Sequence, residues 1–278
     1  MHISNETISS RNNNFVKWVS SLGDKKNRNS EGYFVAEGTK LTTEALDAGL
    51  PVEYIVVSET KRDVVFEKIS VYFKPEAYEN CKIITVTDSV FEKISTEKSP
   101  QGVISIIKHL DFFRKLDIIY KEEFFLNPDE KAIFLCSIRD PSNLGSVIRS
   151  SVAFGTEHIV LSGDCADIYS PKTVRSAMGS LYRVKVTIVN DVASFISAAQ
   201  ENGRRILAAE LSEDAKSLNE VGLRSSDIVI IGNEGHGISK EVSELCDESV
   251  YIPISKKTES LNASVAAAIF MWEQSKNI

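Results

Sequence analysis

Three short stretches of this chain combine glycine with polar side chains more densely than a plain connecting loop requires. The first is Asp140-Pro141-Ser142-Asn143-Leu144-Gly145, with Arg149 further along the same amphipathic run and Phe154-Gly155 closing it. The second is Ile231-Gly232-Asn233-Glu234-Gly235-His236-Gly237-Ile238-Ser239. The third is Ile252-Pro253-Ile254, followed by Ser260-Leu261-Asn262-Ala263-Ser264-Val265-Ala266. Gly232, Gly235 and Gly237 allow positive φ and let the backbone approach a ligand closely, although tight turns need glycine for the same reason. Asn143 either fixes Arg149 or caps a helix, and Ser260 and Asn262 are both good cap types ahead of the last helix. Glu234 sits between glycines, where no turn demands a carboxylate. It is a candidate to orient Asn262 or Arg149, or simply to support the loop. His236 has the chemistry of a general base.

Each stretch follows an apolar run with the length and composition of a strand. Such runs are Ile133 to Cys136, His158 to Leu161, Arg205 to Ala209, Asp227 to Gly232 and Ser249 to Ile254. Leu144 to Phe154 has helical spacing and stops at Gly155, a good residue just past a helix end, and a last helix spans about Leu261 to Trp272. Continuous apolar strands suit a parallel sheet buried on both faces. In open sheets of that kind ligands bind beyond the carboxyl ends of the strands, where the three stretches fall. From Asn12 to about Asp111 the pattern is also mixed. Phe15 to Leu22 is helical, Leu41, Ala45 and Leu46 share a helix face, and Val52 to Val57, Lys82 to Val86 and Gly102 to Ile107 read as strands. Phe112 to Lys131 has no clean period and contains the turn signal Asn127-Pro128-Asp129, so it reads as a linker with a helix in its first half. The expected division is 12–111, a linker 112–131, and 132–278.

The formal net charge is −7, and neither the part up to residue 112 nor the remainder is basic. This argues against a protein that coats nucleic acid and confines any phosphate contact to local patches. The best candidates are Lys25, Lys26 and Arg28 before Gly32, and Lys172, Arg175 and Arg183 after Tyr169. Cys81, Cys136, Cys165 and Cys246 form neither a close pair nor a Cys/His group, so they read as reduced thiols of a cytoplasmic protein without a metal site. No apolar run is long enough to span a bilayer, and the polar start of the chain is unlike a signal peptide.

The order, composition and spacing of the three loops resemble the three motifs of the SpoU (TrmH-type) family in the SPOUT class of RNA methyltransferases, over roughly Ile133 to Glu273. Gly32-Tyr33-Phe34-Val35-Ala36-Glu37-Gly38 is similar to the start of the L30e-like substrate-binding domain that often precedes that catalytic domain. The resemblance implies an α/β chain with a C-terminal parallel sheet tied in a deep trefoil knot, a topology that general chain rules disfavour, preceded by a small L30e-like domain. It implies transfer of a methyl group from S-adenosylmethionine to a ribose 2′-hydroxyl of RNA. Ribosomal RNA is the first expectation and transfer RNA the second. It also implies a homodimer. Ala209, Gly232, Ile252 and Leu261 would hold the donor, largely through backbone atoms. Asn143, Arg149, Glu234, Ser260 and Asn262 would stand beside donor and acceptor. Because a guanidinium is essentially always protonated, Arg149 suits clamping a phosphate and stabilising a developing alkoxide better than acting as a base.

Two other classes are weighed. A non-catalytic RNA-binding or ribosome-assembly protein on the same fold would lack the polar motif residues, which are present here. A nucleotide-dependent oxidoreductase would carry its glycine turn between a first strand and helix, with an acidic residue downstream, whereas Gly232 to Gly237 comes late in the chain.

Overall fold

The computed structural model describes residues 2–3, 6–73, 78–79, 81–233 and 235–276. It divides into two compact units. One comprises Met1–Leu110 together with Asp167–Tyr182, and the other comprises Asp111–Ala166 with Arg183–Ile278.

The first unit is built on a five-stranded sheet of β1 (His2–Ile3), β2 (Tyr33–Glu37), β3 (Val52–Ser58), β4 (Lys82–Val86) and β5 (Val103–Lys108), in the order β1-β4-β3-β5-β2. β5 runs antiparallel to both of its neighbours, while β1, β4 and β3 are parallel. The run Tyr33–Ala36 is strand because its centre is buried on both faces: Phe34, Val35 and Ala36 are all enclosed. Gly38 follows at φ 110°, a backbone angle that glycine adopts readily, and opens the helix Thr39–Asp47. The helix Pro171–Ala177 belongs to this unit and packs on β2. The ring of Tyr169 stacks on Phe34 and His109, and its hydroxyl accepts from the Leu110 amide at 2.8 Å. The expected uninterrupted span 132–278 is therefore broken, because Asp167–Tyr182 folds with the first unit.

The second unit is an eight-stranded sheet of β6 (Phe113–Leu116), β7 (Ala132–Leu135), β8 (His158–Ser162), β9 (Lys185–Val189), β10 (Ile206–Ala209), β11 (Lys216–Ser217), β12 (Ile228–Ile231) and β13 (Glu248–Tyr251). The order is β11-β13-β10-β12-β7-β8-β9-β6, and every registered pair is parallel. β7, β8 and β12 are buried along their whole length, as continuous apolar runs in a covered parallel sheet should be. The segment 112–131 is not a plain linker. It supplies β6 at the sheet edge, and its first half holds a strand instead of the expected helix. β9 and the helix Val192–Glu201, absent from the sequence reading, complete that side. Cys81, Cys136, Cys165 and Cys246 are free thiols, the first three buried.

Candidate active site

In the second unit the carboxyl ends of the strands meet the starts of two helices. Asp140 starts the helix Pro141–Ala153. Its Oδ1 accepts from the amides of Ser142 (2.7 Å) and Asn143 (3.0 Å), and Pro141 occupies the first turn, where no amide is missed. Leu144, Val147, Ile148 and Ser151 face inward, which leaves Arg149 on the exposed side. Among the described residues the Arg149 guanidinium makes no hydrogen bond or ion pair.

Asn262 caps the helix Ala263–Ser275. Its Oδ1 accepts from the Ser264 amide at 2.9 Å and from the Ser264 hydroxyl at 2.6 Å. The other end of the same amide is spent differently: Nδ2 donates to Asn143 Oδ1 at 3.0 Å. Two residues 119 positions apart, one at each helix start, are thus joined side chain to side chain. Capping is therefore the task of Asp140 in the first helix, and Asn143 is freed to meet Asn262.

The loop after β12 closes on itself. Asn233 and Gly237 exchange amide and carbonyl hydrogen bonds at 3.0 and 2.9 Å, with Gly237 at φ 67°. Asn233 Nδ2 donates to the Ser137 carbonyl at 2.8 Å, and its Oδ1 accepts from the Gly235 amide at 2.8 Å. At Gly232 a Cβ would fall 2.3 Å from the Gly237 carbonyl carbon and 2.5 Å from the Ile238 nitrogen, so backbone fills the place of a side chain. Parallel register sets Ala209 beside both Ile231 and Val250, which brings the ends of β10, β12 and β13 level. Ala209, Gly232 and Ile252 accordingly share one sheet edge, and Leu261 immediately precedes the Asn262 cap.

Not every expected residue joins this group. Ser260 is exposed, and among the described residues its hydroxyl makes no hydrogen bond. Glu234 lies outside the described residues. His236 is exposed. Lys25, Lys26 and Lys172 are exposed on the first unit. Arg28, by contrast, does not belong to a phosphate-facing patch. It is only 2% exposed, it donates to the carbonyls of Leu22 and Gly23, and it pairs with Asp167 at 2.5 Å. Arg175 is half-buried and ion-paired with Glu97. Two organising residues escaped the sequence reading. Ser137 holds φ 58° just after β7 and donates its amide to Ser162 Oγ at 2.8 Å, and Asn233 ties that turn to the glycine loop. An Asn between a strand end and glycines is a recognisable turn former, and that signal was available.

An all-parallel sheet that gathers two capped helix starts and a tight glycine loop at its carboxyl edge is an α/β architecture of the kind that binds ligands at that edge. Residues 130–272, just over half of the chain, match the SpoU rRNA Methylase family, and residues 13–105 match the MRM3-like substrate binding domain. The chain belongs to the SpoU rRNA methylase family. It is 28% identical over 266 residues to the 23S rRNA (guanosine(2553)-2'-O)-methyltransferase RlmP of Bacillus subtilis (strain 168), covering 95% of this chain and 97% of that one. It is also 28% identical over 276 residues to the 23S rRNA (uridine(2479)-2'-O)-methyltransferase of Streptomyces viridochromogenes, covering 96% and 90%. The AdoMet-bound rRNA methyltransferase from Sinorhizobium meliloti superposes with a TM-score of 0.80 at 26% identity, over 99% of this chain and 98% of that one.

Proposed function

We propose that the chain transfers a methyl group from S-adenosylmethionine to a ribose 2′-hydroxyl of ribosomal RNA. The observation that carries the reading is the Asn143–Asn262 hydrogen bond, which ties two motif loops together beside the glycine loop. Family membership and the AdoMet-bound relative support the donor. The fit of the edge supports it too: the loop closes tightly on Gly232, and Ala209 at the end of β10 is small.

When bound, S-adenosylmethionine supplies an electrophilic methyl group, whose bond to sulfur breaks as a bond to the 2′-oxygen forms, with the hydroxyl proton leaving to water. This chain's part is to hold the two reactants in line. Backbone at Gly232, Ile252 and Leu261, with Ala209, holds the donor. Asn143 and Asn262 fix the two helix starts, and Arg149 reaches outward to the phosphate beside the acceptor ribose, where its fixed charge stabilises the developing alkoxide. Ser260, exposed two positions before Asn262, stands outside this group. Lys25, Lys26 and Lys172 give the first unit local cationic points for folded RNA.

The reading includes a trefoil knot in the C-terminal sheet, action in the cytoplasm, and a homodimer. The helix Ala263–Ser275 supports the dimer. Val265 and Trp272, seven residues apart and so on one face, remain 46% and 48% exposed on an otherwise apolar helix. A monomeric mass by light scattering at micromolar concentration would remove that part of the proposal. The function itself is tested by mapping 2′-O-methylation in ribosomal and transfer RNA with and without the gene. One ribosomal position should lose its mark. Loss of a transfer RNA mark alone would move the substrate, and no loss at all would refute the activity.

A further inference from the structure

Beyond β12 from the ends of β10 and β13, the ends of β7, β8 and β9 and the loop after β12 line an open cavity of about 580 Å³. This lies within the roughly 300–1,000 Å³ of ordinary ligand pockets. None of its lining residues belongs to the proposed catalytic or donor set. It shares one wall with the reaction site, because Asn233 and Gly237 line it too.

The chemistry of the lining is selective. Cys136, Val192 and Val242 contribute an apolar surface. Asp164 lies below its ordinary carboxyl value, because hydrogen bonds from Ser162 and Ser137 and the Arg139 guanidinium outweigh the upward push of burial. It is therefore a carboxylate, which accepts hydrogen bonds and repels a phosphate. Asn190 donates its Nδ2 to Asp117 Oδ1 at 2.5 Å, which fixes the amide and turns Oδ1 toward Gly163. A Cβ at Gly163 would fall 2.5 Å from that oxygen. Asn190 and Asp164, both held by hydrogen bonds, thus line a partly apolar space. His236 and the largely exposed Arg139 supply flat groups of the kind on which unpaired bases stack.

We infer that this cavity receives an unpaired base of the RNA, next to the methylated ribose, that presents N–H donors to Asn190 and Asp164. The inference rests on the proposed methylation of RNA and adds the means by which the enzyme selects its nucleotide. The carboxylate disfavours a phosphate occupant. The separation by β12 from the strand ends that carry Ala209 and Ile252 disfavours the methyl donor.

The test uses the full-length protein, labelled S-adenosylmethionine and total ribosomal RNA from cells lacking the gene. Asn190→Ala and His236→Ala should each raise KM for RNA roughly tenfold, the usual scale for one lost base contact. The donor Kd by calorimetry and kcat should stay within about threefold of wild type. Gly163→Ala should act in the same direction by displacing the Asn190 amide, and thermal melting checks that all three variants fold. An unchanged KM in folded Asn190→Ala or His236→Ala overturns the pocket. A weakened donor Kd with unchanged KM for RNA overturns it as well, by assigning the cavity to the donor. Wild-type protein that transfers no methyl group overturns the parent reading and the pocket with it, whereas an active wild type with indifferent variants overturns the pocket alone.

Discussion

The two edges of the eight-stranded sheet are made from the same strands, and they differ in whether some polar side chains are left exposed without an internal partner. At the amino edge the starts of β7, β8, β9, β10 and β12 are tied down. Glu130, 5% exposed, accepts from Lys185 Nζ at 2.8 Å and from the Asn127 amide at 3.1 Å. His158 lies between Glu130 and Thr187. Arg204 donates to the carbonyls of Asn127, Glu130 and Ser226, and Asp227, fully buried, accepts from Arg205 and from the Arg224 amide. At the carboxyl edge Arg149 and Ser260 stand exposed and uncommitted among the described residues, and Asn143 and Asn262 meet at an exposed hydrogen bond. Polar groups satisfied inside the fold hold it together, and polar groups held ready at a strand end are available to a ligand. That contrast separates charge used for stability from charge used for chemistry, and substitutions on the two edges should fail in different assays.

The largest effect is expected at Gly232. Gly232→Val would drive a branched side chain into the backbone of Gly237 and Ile238 and spread the loop, so binding of S-adenosylmethionine should vanish in calorimetry while the melting transition persists. Wild-type affinity in this variant would strike Gly232 from the donor site. Next is Arg149→Ala, which should lower kcat by about 10²–10³ with donor affinity nearly intact, the scale for losing one donor to a developing oxyanion. Arg149→Lys should restore little, since a point charge does not reproduce the planar fork. Turnover within about threefold of wild type in single-turnover methylation would return Arg149 to the solvated face and move its role to Asn262.

How far this edge was readable from sequence follows from the range of the forces involved. Glycine turns, strand runs and the stop at Gly155 are local chemistry and lie close to where the spacing predicts, although the expected strand Ser249 to Ile254 ends at Tyr251 and the last helix starts at Ala263, two residues later than expected. The Asn143–Asn262 pair joins residues 119 positions apart, and Arg28–Asp167 joins residues 139 apart; no local pattern encodes such partners. Lys25, Lys26 and Arg28 look like one basic patch in the linear chain. The short helix turns Arg28 inward, onto the carbonyls of the turn before it, and leaves the lysines outside. β6 was missed because an edge strand needs little burial: Phe113-Arg114-Lys115-Leu116 exposes its two charges and lacks the apolar run that marks an interior strand. The insertion of Asp167–Tyr182 into the first unit depends on Tyr169 stacking between Phe34 and His109, again beyond any local window.

On the amino edge the expected effects are on stability. Asp227→Ala leaves Arg205 and the Arg224 amide without their shared acceptor. Arg205 is partly exposed and keeps the Gly222 carbonyl, so the loss is that of a charge-assisted hydrogen bond and of the amide's acceptor, about 2–3 kcal/mol. Chemical denaturation should show that loss, while the folded variant keeps wild-type donor affinity and kcat. A stability unchanged within error, or a donor affinity that falls with it, would erase the distinction between the edges.

The smallest effect is a pH dependence confined to the same edge. Burial pushes His158 down to about 4, and the nearby Lys185 and Arg114 add to this, although the hydrogen bond and charge of Glu130 oppose it. The neutral ring donates from Nδ1 to Glu130 Oε1 and accepts at Nε2 from the Thr187 hydroxyl. In the unfolded chain an ordinary histidine titrates near 6.5, so below about pH 6.5 the unfolded state binds a proton that the folded state refuses. Stability should therefore be full above that value, fall as pH drops toward 4, and stop falling on this account once the folded ring protonates. The slope is at most about 1.4 kcal/mol per pH unit, giving a loss of about 2 kcal/mol between pH 7 and 5. Glu130 acts lower. Its carboxyl sits below its ordinary value, because bonds from Lys185, Asn127 and His158 outweigh the push of burial, so the stability it lends is lost only at more acid pH. His158→Gln keeps a hydrogen-bonding side chain and removes the titration. Denaturation midpoints at pH 7 and pH 5 should differ clearly in the wild type and much less in His158→Gln, and equal pH dependence in the two proteins would show that the buried imidazole is not the group that titrates.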